Sequence, residues 1–152
     1  MAERANSTLS LDSTLLERCD QAYECAARRA EAAVSAADPD ADVAERFEAA
    51  LSAVLVAAAE QADLTRLCLV EAPGLGAPAV ERKERGLQRF VELVDGELAR
   101  TSDGKPPPLV SEMVIGGIYE VMQRTASAGK IAAMPDLAAQ LRQLWAPALR
   151  GH

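Results

Sequence analysis

The amino-acid sequence predicts an all-α domain, and three observations favour that fold class. Hydrophobic residues make up 49% of the 152 residues but aromatic residues only 3%, and much of the apolar content is alanine, a strong helix former. Apolar side chains recur at intervals of three and four residues, which is typical of amphipathic helices. Turn residues separate these periodic segments. The length suits one bundle-like domain of about six helices.

The first helix is predicted from Leu15 to about Ala37. Apolar residues recur at helical spacing throughout this segment, and the turn residues Asp38 to Asp40, which include a proline, follow it. The preceding residues, 1–13, are mostly polar, and we expect them to be a flexible lead-in. The folded domain is therefore expected to cover residues 14–150.

The second helix is predicted to start after Asp42. Together with Glu45, this aspartate matches the capping-box pattern, in which each side chain accepts a hydrogen bond from the other residue's backbone. The apolar stripe then continues to about Gln61. Asp63 is predicted to cap a short third helix, which Pro73 and the glycine after it end.

Three further helices are predicted in the second half of the chain. Pro78 fits the first turn of the fourth helix, where proline is tolerated. The proline-rich stretch Thr101–Pro108 is predicted to be a surface loop within the domain, because it is too short to demand a domain boundary. A fifth helix is expected from about Pro107 to Ala128, and Pro135 is expected to start a sixth.

Charge and composition argue against several classes of function. The net charge is −7, whereas nucleic-acid binding needs a concentrated basic surface. The single histidine is His152, and the three cysteines form no CxxC pair, so we expect no catalytic residues, no metal site, no cofactor and no enzyme. Without a signal peptide or a membrane-spanning run, and with reduced thiols, the chain is expected to be cytoplasmic and free of membrane.

Two adjacent glycines, Gly116 and Gly117, lie inside the apolar run of the fifth helix, although each costs about 0.5–1 kcal/mol relative to alanine. On a helical wheel the apolar arc of this helix is about 240°, far wider than the roughly 100° stripe of an ordinary surface helix. We therefore expect it to pack against its own core and also against a second subunit. An alternative is that the glycines accommodate bulky neighbours within one chain.

The sixth helix is the expected companion of the fifth, so that two helices from each of two chains form a four-helix dimer interface. The residues predicted at this interface are Val110, Val114, Gly117, Val121, Leu137, Leu141, Leu144 and Trp145.

Three stretches resemble the C-terminal domain of TetR-type (tetracycline-repressor-type) transcriptional regulators. They are TRLCLVEAPGLGAPAVERKERGLQRFVELV, PPPLVSEMVIGGIYEVMQRTASAGK and MPDLAAQLRQLWAPAL, and the resemblance covers residues 15–149. It implies a bacterial, all-α domain that encloses a small-molecule pocket and dimerises through its last long helices. In this family a helix-turn-helix domain of roughly 45 residues precedes that domain. Here only Met1 to Ser13 precede it, so we expect that the DNA-binding domain lies outside this chain or has been lost.

The resemblance implies a pocket among the first five helices. The candidate ligand-binding residues are Tyr23, Phe47, Leu51, Leu67, Glu71, Phe90, Met113 and Met122, each of which also fits a plain core role. Tyr23 and Glu71 stand out because a polar group on an inward face needs a partner. Few aromatic residues are available for a cage around a flat cation, so a mainly apolar effector is expected.

The function that follows is a small-molecule-sensing and homodimerisation domain of a transcriptional regulator, which reaches DNA only through a domain missing from this chain. The alternative is a stand-alone adaptor or sequestering protein that acts by pairing with a full-length relative. The reading frame upstream of Ala2 would distinguish the two.

Overall fold

The computed structural model describes residues 2–101 and 109–150, and in these ranges it contains helices and turns but no strand. The all-α prediction is confirmed. The α-helices are α1 (Ala2–Ala36), α2 (Val43–Glu60), α3 (Ala62–Arg66), α4 (Ala77–Thr101), α5 (Val110–Ser127) and α6 (Leu137–Arg150). A π-helical turn (Leu67–Glu71) and a 3₁₀ turn (Ala72–Leu75) connect α3 to α4, and a second 3₁₀ segment (Ile131–Asp136) leads into α6.

Helix α2 lies at the centre of the domain, where it packs against α1, α4 and α6. The predicted capping box fixes its start: Glu45 N–H donates to Asp42 Oδ1 at 2.8 Å, and Asp42 N–H donates to Glu45 Oε2 at 2.9 Å. Apolar residues on several sides of this helix are buried, and Leu55 is completely buried. The helix ends at Glu60 with Gln61 as its C-cap, as predicted.

Three predicted boundaries are wrong. Helix α1 begins at Ala2 instead of near Leu15, so residues 2–13 of the expected lead-in are helical; no proline or glycine interrupts the chain from there to the end of α1. Asp63 does not cap α3, because the N-cap is Gln61 and makes no side-chain hydrogen bond. Pro135 lies in a 3₁₀ segment, and α6 starts only at Leu137.

Two further boundaries concern the fifth helix. Its described part starts at Val110 and ends at Ser127, one residue before the predicted end. The predicted start at Pro107, and residues 102–108 of the predicted loop, lie outside the described residues.

Helix α5 is covered by its own chain on most of its apolar face. It contacts α3, α4, α6, the π-helical turn and the 3₁₀ segment before α6. Val114 is 1% exposed, and Ile115, Ile118 and Ala126 are also buried. The π-helical turn and the 3₁₀ segment before α6, which were not predicted as separate turns, cover the extra apolar arc. The width of that arc is therefore no argument for a second subunit.

The two glycines of α5 have different surroundings. A Cβ atom on Gly117 would lie 2.9 Å from Cζ2 of Trp145, so this glycine makes room for the indole ring of α6 in the same chain. A Cβ atom on Gly116 would meet no atom within 4 Å. The alternative that the glycines accommodate a bulky neighbour within one chain therefore holds for Gly117 but not for Gly116.

The residues predicted at a dimer interface are divided between core and surface. Val114 and Leu141 are buried in the core of the single chain, so their side chains are not available at its surface for contact with a second subunit. Leu144 is 62% exposed. The others are partly exposed: Val110, Gly117, Val121, Leu137 and Trp145.

Candidate ligand-binding cavity

A cavity of about 160 Å³ lies among α1, α2, α3, α4 and α5, where the family resemblance implied a pocket. A single water needs only about 10–15 Å³ of such space, so the cavity has room for an organic molecule. Its walls are largely aliphatic and aromatic, with Phe47 and Val54 from α2, Phe90 from α4 and Ile118 from α5. An apolar space of this kind favours apolar ligands over water.

Five of the eight candidate binding residues line this cavity: Tyr23, Phe47, Leu51, Phe90 and Met122. The other three do not. Leu67 is buried in a separate cluster with Cys19. Glu71 lies at the surface, 3.4 Å from Arg66 Nε. Met113 is 65% exposed on the outer face of α5. Leu67 and Glu71 lie in the π-helical turn, which rotates side chains away from their positions on a regular helix.

Tyr23 reaches the cavity because Gly86 lets its ring approach α4. A Cβ atom on Gly86 would lie 2.5 Å from Cγ of Tyr23, so only a residue without a side chain fits there. Gly86 was not predicted from the sequence as a residue of the site. The available signal was a glycine in the interior of a predicted helix, next to the inward-facing Leu87.

The hydroxyl of Tyr23 is buried and has no hydrogen-bond partner at bonding geometry. Burial raises its pKa far above the usual value for tyrosine, and the phenol of Tyr119, close enough to interact with it, adds to the rise. Burial also raises the pKa of Tyr119. Both phenols therefore remain neutral near pH 7 and act as hydrogen-bonding groups. An unpaired buried hydroxyl costs about 1–3 kcal/mol, which a ligand atom bonded to Tyr23 would relieve.

The carboxylate on the cavity wall is already paired. Glu97 of α4 lines the cavity, and its Oε2 lies 2.6 Å from Arg46 Nε of α2. The two side chains are 13% and 9% exposed, respectively. Arg46 also donates to the Asp38 carbonyl at 3.3 Å, and Arg100 Nε lies 3.4 Å from the same carboxylate. The ion pair neutralises the wall, so the cavity suits a neutral ligand better than a charged one.

Arg46 was also missed in the sequence analysis. It follows the acidic residue of the capping box and looks like part of a polar surface. Its spacing from Val43 and Ala50, three and four residues, places it on the inward face of α2, and that spacing was the available signal.

The π-helical turn forms one end of the cavity, with Cys68 and Leu69 in the wall. Gln123 Nε2 of α5 donates to the Leu69 carbonyl at 3.1 Å, and Thr65 Oγ1 donates to the Ala58 carbonyl at 2.8 Å. These bonds satisfy polar groups that the irregular backbone would otherwise leave open. Single π-helical turns are frequent at functional sites, which agrees with this location.

Within residues 2–101 and 109–150, no three histidine, cysteine or acidic residues form a group that could hold a metal ion. None of the helices described is both long and apolar enough to cross a membrane. Comparisons with protein-family models, with curated proteins and with solved structures gave no match, and function is therefore inferred from the cavity.

Proposed function

We propose that this chain is the small-molecule-sensing domain of a TetR-type transcriptional regulator and that its effector occupies the cavity among α1 to α5. The observation that carries the proposal is an apolar cavity of about 160 Å³ whose lining includes Tyr23, a residue with a buried hydroxyl that has no hydrogen-bond partner. A mainly apolar pocket with a few polar groups that fix orientation is the usual form of a small-molecule site. The all-α architecture agrees with the resemblance in sequence.

The chemistry of the wall defines the class of effector. The apolar lining favours a hydrocarbon-rich molecule, and the Tyr23 hydroxyl favours one oxygen or nitrogen atom on it. Among the described residues of the wall the one carboxylate is Glu97, and Arg46 pairs with it, so these residues offer no free counter-charge to an ionic ligand. The effector is therefore a neutral molecule with a single polar group, such as a ketone, ester or alcohol.

A fluorescence titration tests the cavity. We expect the neutral probe N-phenylnaphthylamine to bind the wild-type chain. Ala26→Leu adds volume to the cavity wall and weakens binding by about tenfold or more, since overpacking costs about 1–3 kcal/mol. Ala32→Leu, on the exposed side of the same helix, is the matched control and binds like wild type. Equal binding by the two variants contradicts the proposed site.

A second titration tests the role of Tyr23, with acetylnaphthalene as a ketone and ethylnaphthalene as its hydrocarbon counterpart. We expect Tyr23→Phe to weaken binding of the ketone about tenfold and to leave the hydrocarbon unchanged, because only the ketone accepts a hydrogen bond. A parallel loss for both compounds would mean that Tyr23 contributes only its ring.

In the intact regulator, a homodimer would transmit binding to the DNA-contacting domain. Met113 of α5 and Leu144 of α6 are both more than half exposed, and the open side of Gly116 lies on the same outer face as Met113. An effector changes DNA affinity only as far as it binds one dimer geometry better than the other. Analytical ultracentrifugation of the wild type and of Leu144→Glu tests this part: a monomeric wild type at high concentration excludes the homodimer.

A further inference from the structure

Two of the three cysteines meet in the interior. Cys19 of α1 and Cys68 of the π-helical turn belong to one small buried cluster with Leu67 and Ala72. Both are free thiols, and the third cysteine, Cys25, is exposed. A buried cysteine is ordinarily unreactive. Here two buried thiols from different segments are neighbours, and that proximity permits chemistry between them.

The two thiols influence each other's ionisation. Interaction with the Cys68 side chain is the main reason why the pKa of Cys19 is lowered, and interaction with Cys19 is the main reason why the pKa of Cys68 is raised. The positive charges of Arg18 and Arg82 also lower the Cys19 pKa, whereas burial and Asp20 act in the opposite direction. Such mutual influence requires the two side chains to lie close together, in agreement with their shared buried cluster.

The cavity gives small molecules a path to the pair. Cys68 forms part of the cavity wall, so one side of the thiol pair faces space that is large compared with a peroxide. Cys19, a residue of α1, belongs to the same buried cluster and is not among the described residues that line the cavity.

We propose that Cys19 and Cys68 are a redox-active pair that a peroxide converts into an intramolecular disulfide. One sulfur of the pair attacks, as its thiolate, one oxygen of hydrogen peroxide; the O–O bond breaks, and the departing hydroxide takes a proton to become water. The other sulfur then attacks the resulting sulfenic acid; the S–O bond breaks, and the hydroxide leaves as a second water with the proton of the attacking thiol. The two sulfurs lose two electrons in total, and the peroxide gains them.

The disulfide would join α1 to the π-helical turn at one end of the cavity. A dithiol reverses it by thiol–disulfide exchange. The reaction needs no effector, so this proposal stands apart from the proposed function and does not depend on it.

Mass spectrometry of the full chain tests the proposal. The protein is treated with hydrogen peroxide, unfolded, alkylated with N-ethylmaleimide and digested without reduction. We expect a cross-linked peptide that contains Cys19 and Cys68, a loss of two hydrogens from the chain, and alkylation at Cys25 alone. Dithiothreitol restores alkylation at all three cysteines. Alkylation of both Cys19 and Cys68 after oxidation, or a cross-link through Cys25, would overturn the proposal.

The variants separate this pair from unspecific oxidation. Cys25→Ser changes an exposed residue and should form the cross-link at the wild-type rate. Cys68→Ala should form none, and its Cys19 should carry added oxygen or remain free. The cross-linked wild-type peptide decides the matter even if Cys68→Ala folds poorly. A cross-link that appears only between two chains on a non-reducing gel also contradicts an intramolecular pair.

Discussion

The ring of Tyr23 lies directly against the backbone of Gly86. Helices α1 and α4 therefore approach each other closely at the position where Tyr23 lines the cavity. The approach depends on the absence of a side chain at residue 86. It also places the tyrosine hydroxyl in the interior, where it has no partner. A packing requirement and a binding feature therefore have the same origin.

Gly86→Ala is predicted to destabilise the fold. Alanine at a helix interior normally stabilises by about 0.5–1 kcal/mol, but here its Cβ atom would overlap Cγ of Tyr23. Overpacking of this kind costs about 1–3 kcal/mol. Urea denaturation should show the loss in the free energy of unfolding. Gly96→Ala, in the same helix with no atom within 4 Å, is the control and should raise it. Two variants that both raise it would contradict the packing described.

Gly117→Ala is predicted to move the indole of Trp145, because the new Cβ atom would lie 2.9 Å from Cζ2 of that ring. The chain has one tryptophan, so its fluorescence spectrum reports this ring alone. We expect a shifted emission maximum for Gly117→Ala. Gly116→Ala, whose new Cβ atom meets nothing within 4 Å, should keep the wild-type spectrum and gain stability. Identical spectra for all three proteins would be the contrary result.

Removal of one member of the Arg46–Glu97 pair is predicted to destabilise strongly. Both side chains are largely buried, and a buried charge left without its partner costs about 3–5 kcal/mol. Glu97→Leu should show this loss in urea denaturation. The double variant with Arg46→Met should recover much of it, because no charge is then left unpaired.

An exposed ion pair provides the comparison for that experiment. Nη2 of Arg28 and Oε1 of Glu24 lie 3.0 Å apart on α1, and both side chains are more than half exposed. Arg28→Ala should cost at most about 1 kcal/mol. A similar loss in Arg28→Ala and Glu97→Leu would show that burial does not set the energy of the Arg46–Glu97 pair.

The tyrosines are predicted to resist ionisation in the folded state. The chain has two, Tyr23 and Tyr119, and burial raises the pKa of both. Near-ultraviolet absorbance should show little phenolate in the folded protein at pH 10, where about half of the tyrosines in urea-unfolded protein are ionised. Because the folded state holds these protons more tightly, the free energy of unfolding falls as the pH rises above about 10. An absorbance titration identical to that of the unfolded chain would contradict this burial.

Local signals in the sequence were sufficient for the helices that have clear ends. Asp38-Pro39 ended α1 close to the predicted residue, and Asp42 with Glu45 fixed the start of α2, because a capping box and a proline act over only a few residues. The expectation of a pocket among the first five helices came from the family resemblance alone, and a cavity lies there.

Features that depend on contacts between distant segments could not be predicted in this way. The π-helical turn has no separate sequence pattern, so Leu67 and Glu71 were assigned to the wrong surroundings. The packing of Trp145 against Gly117 requires knowledge of how α6 crosses α5. A wheel gives the width of the apolar face of α5 but not the identity of the segments that cover it.

The π-helical turn has a further consequence for comparison with related chains. Such a turn contains one residue more than an α-helix uses for the same stretch. Deletion of one residue within Leu67–Glu71 would give a regular helix and rotate everything before it by about 100° relative to everything after it. Side chains on the two sides of the deletion would then face different directions. Under the proposed function, a homologue with one residue fewer in this segment would present a different cavity wall to its effector even if the lining residues were identical.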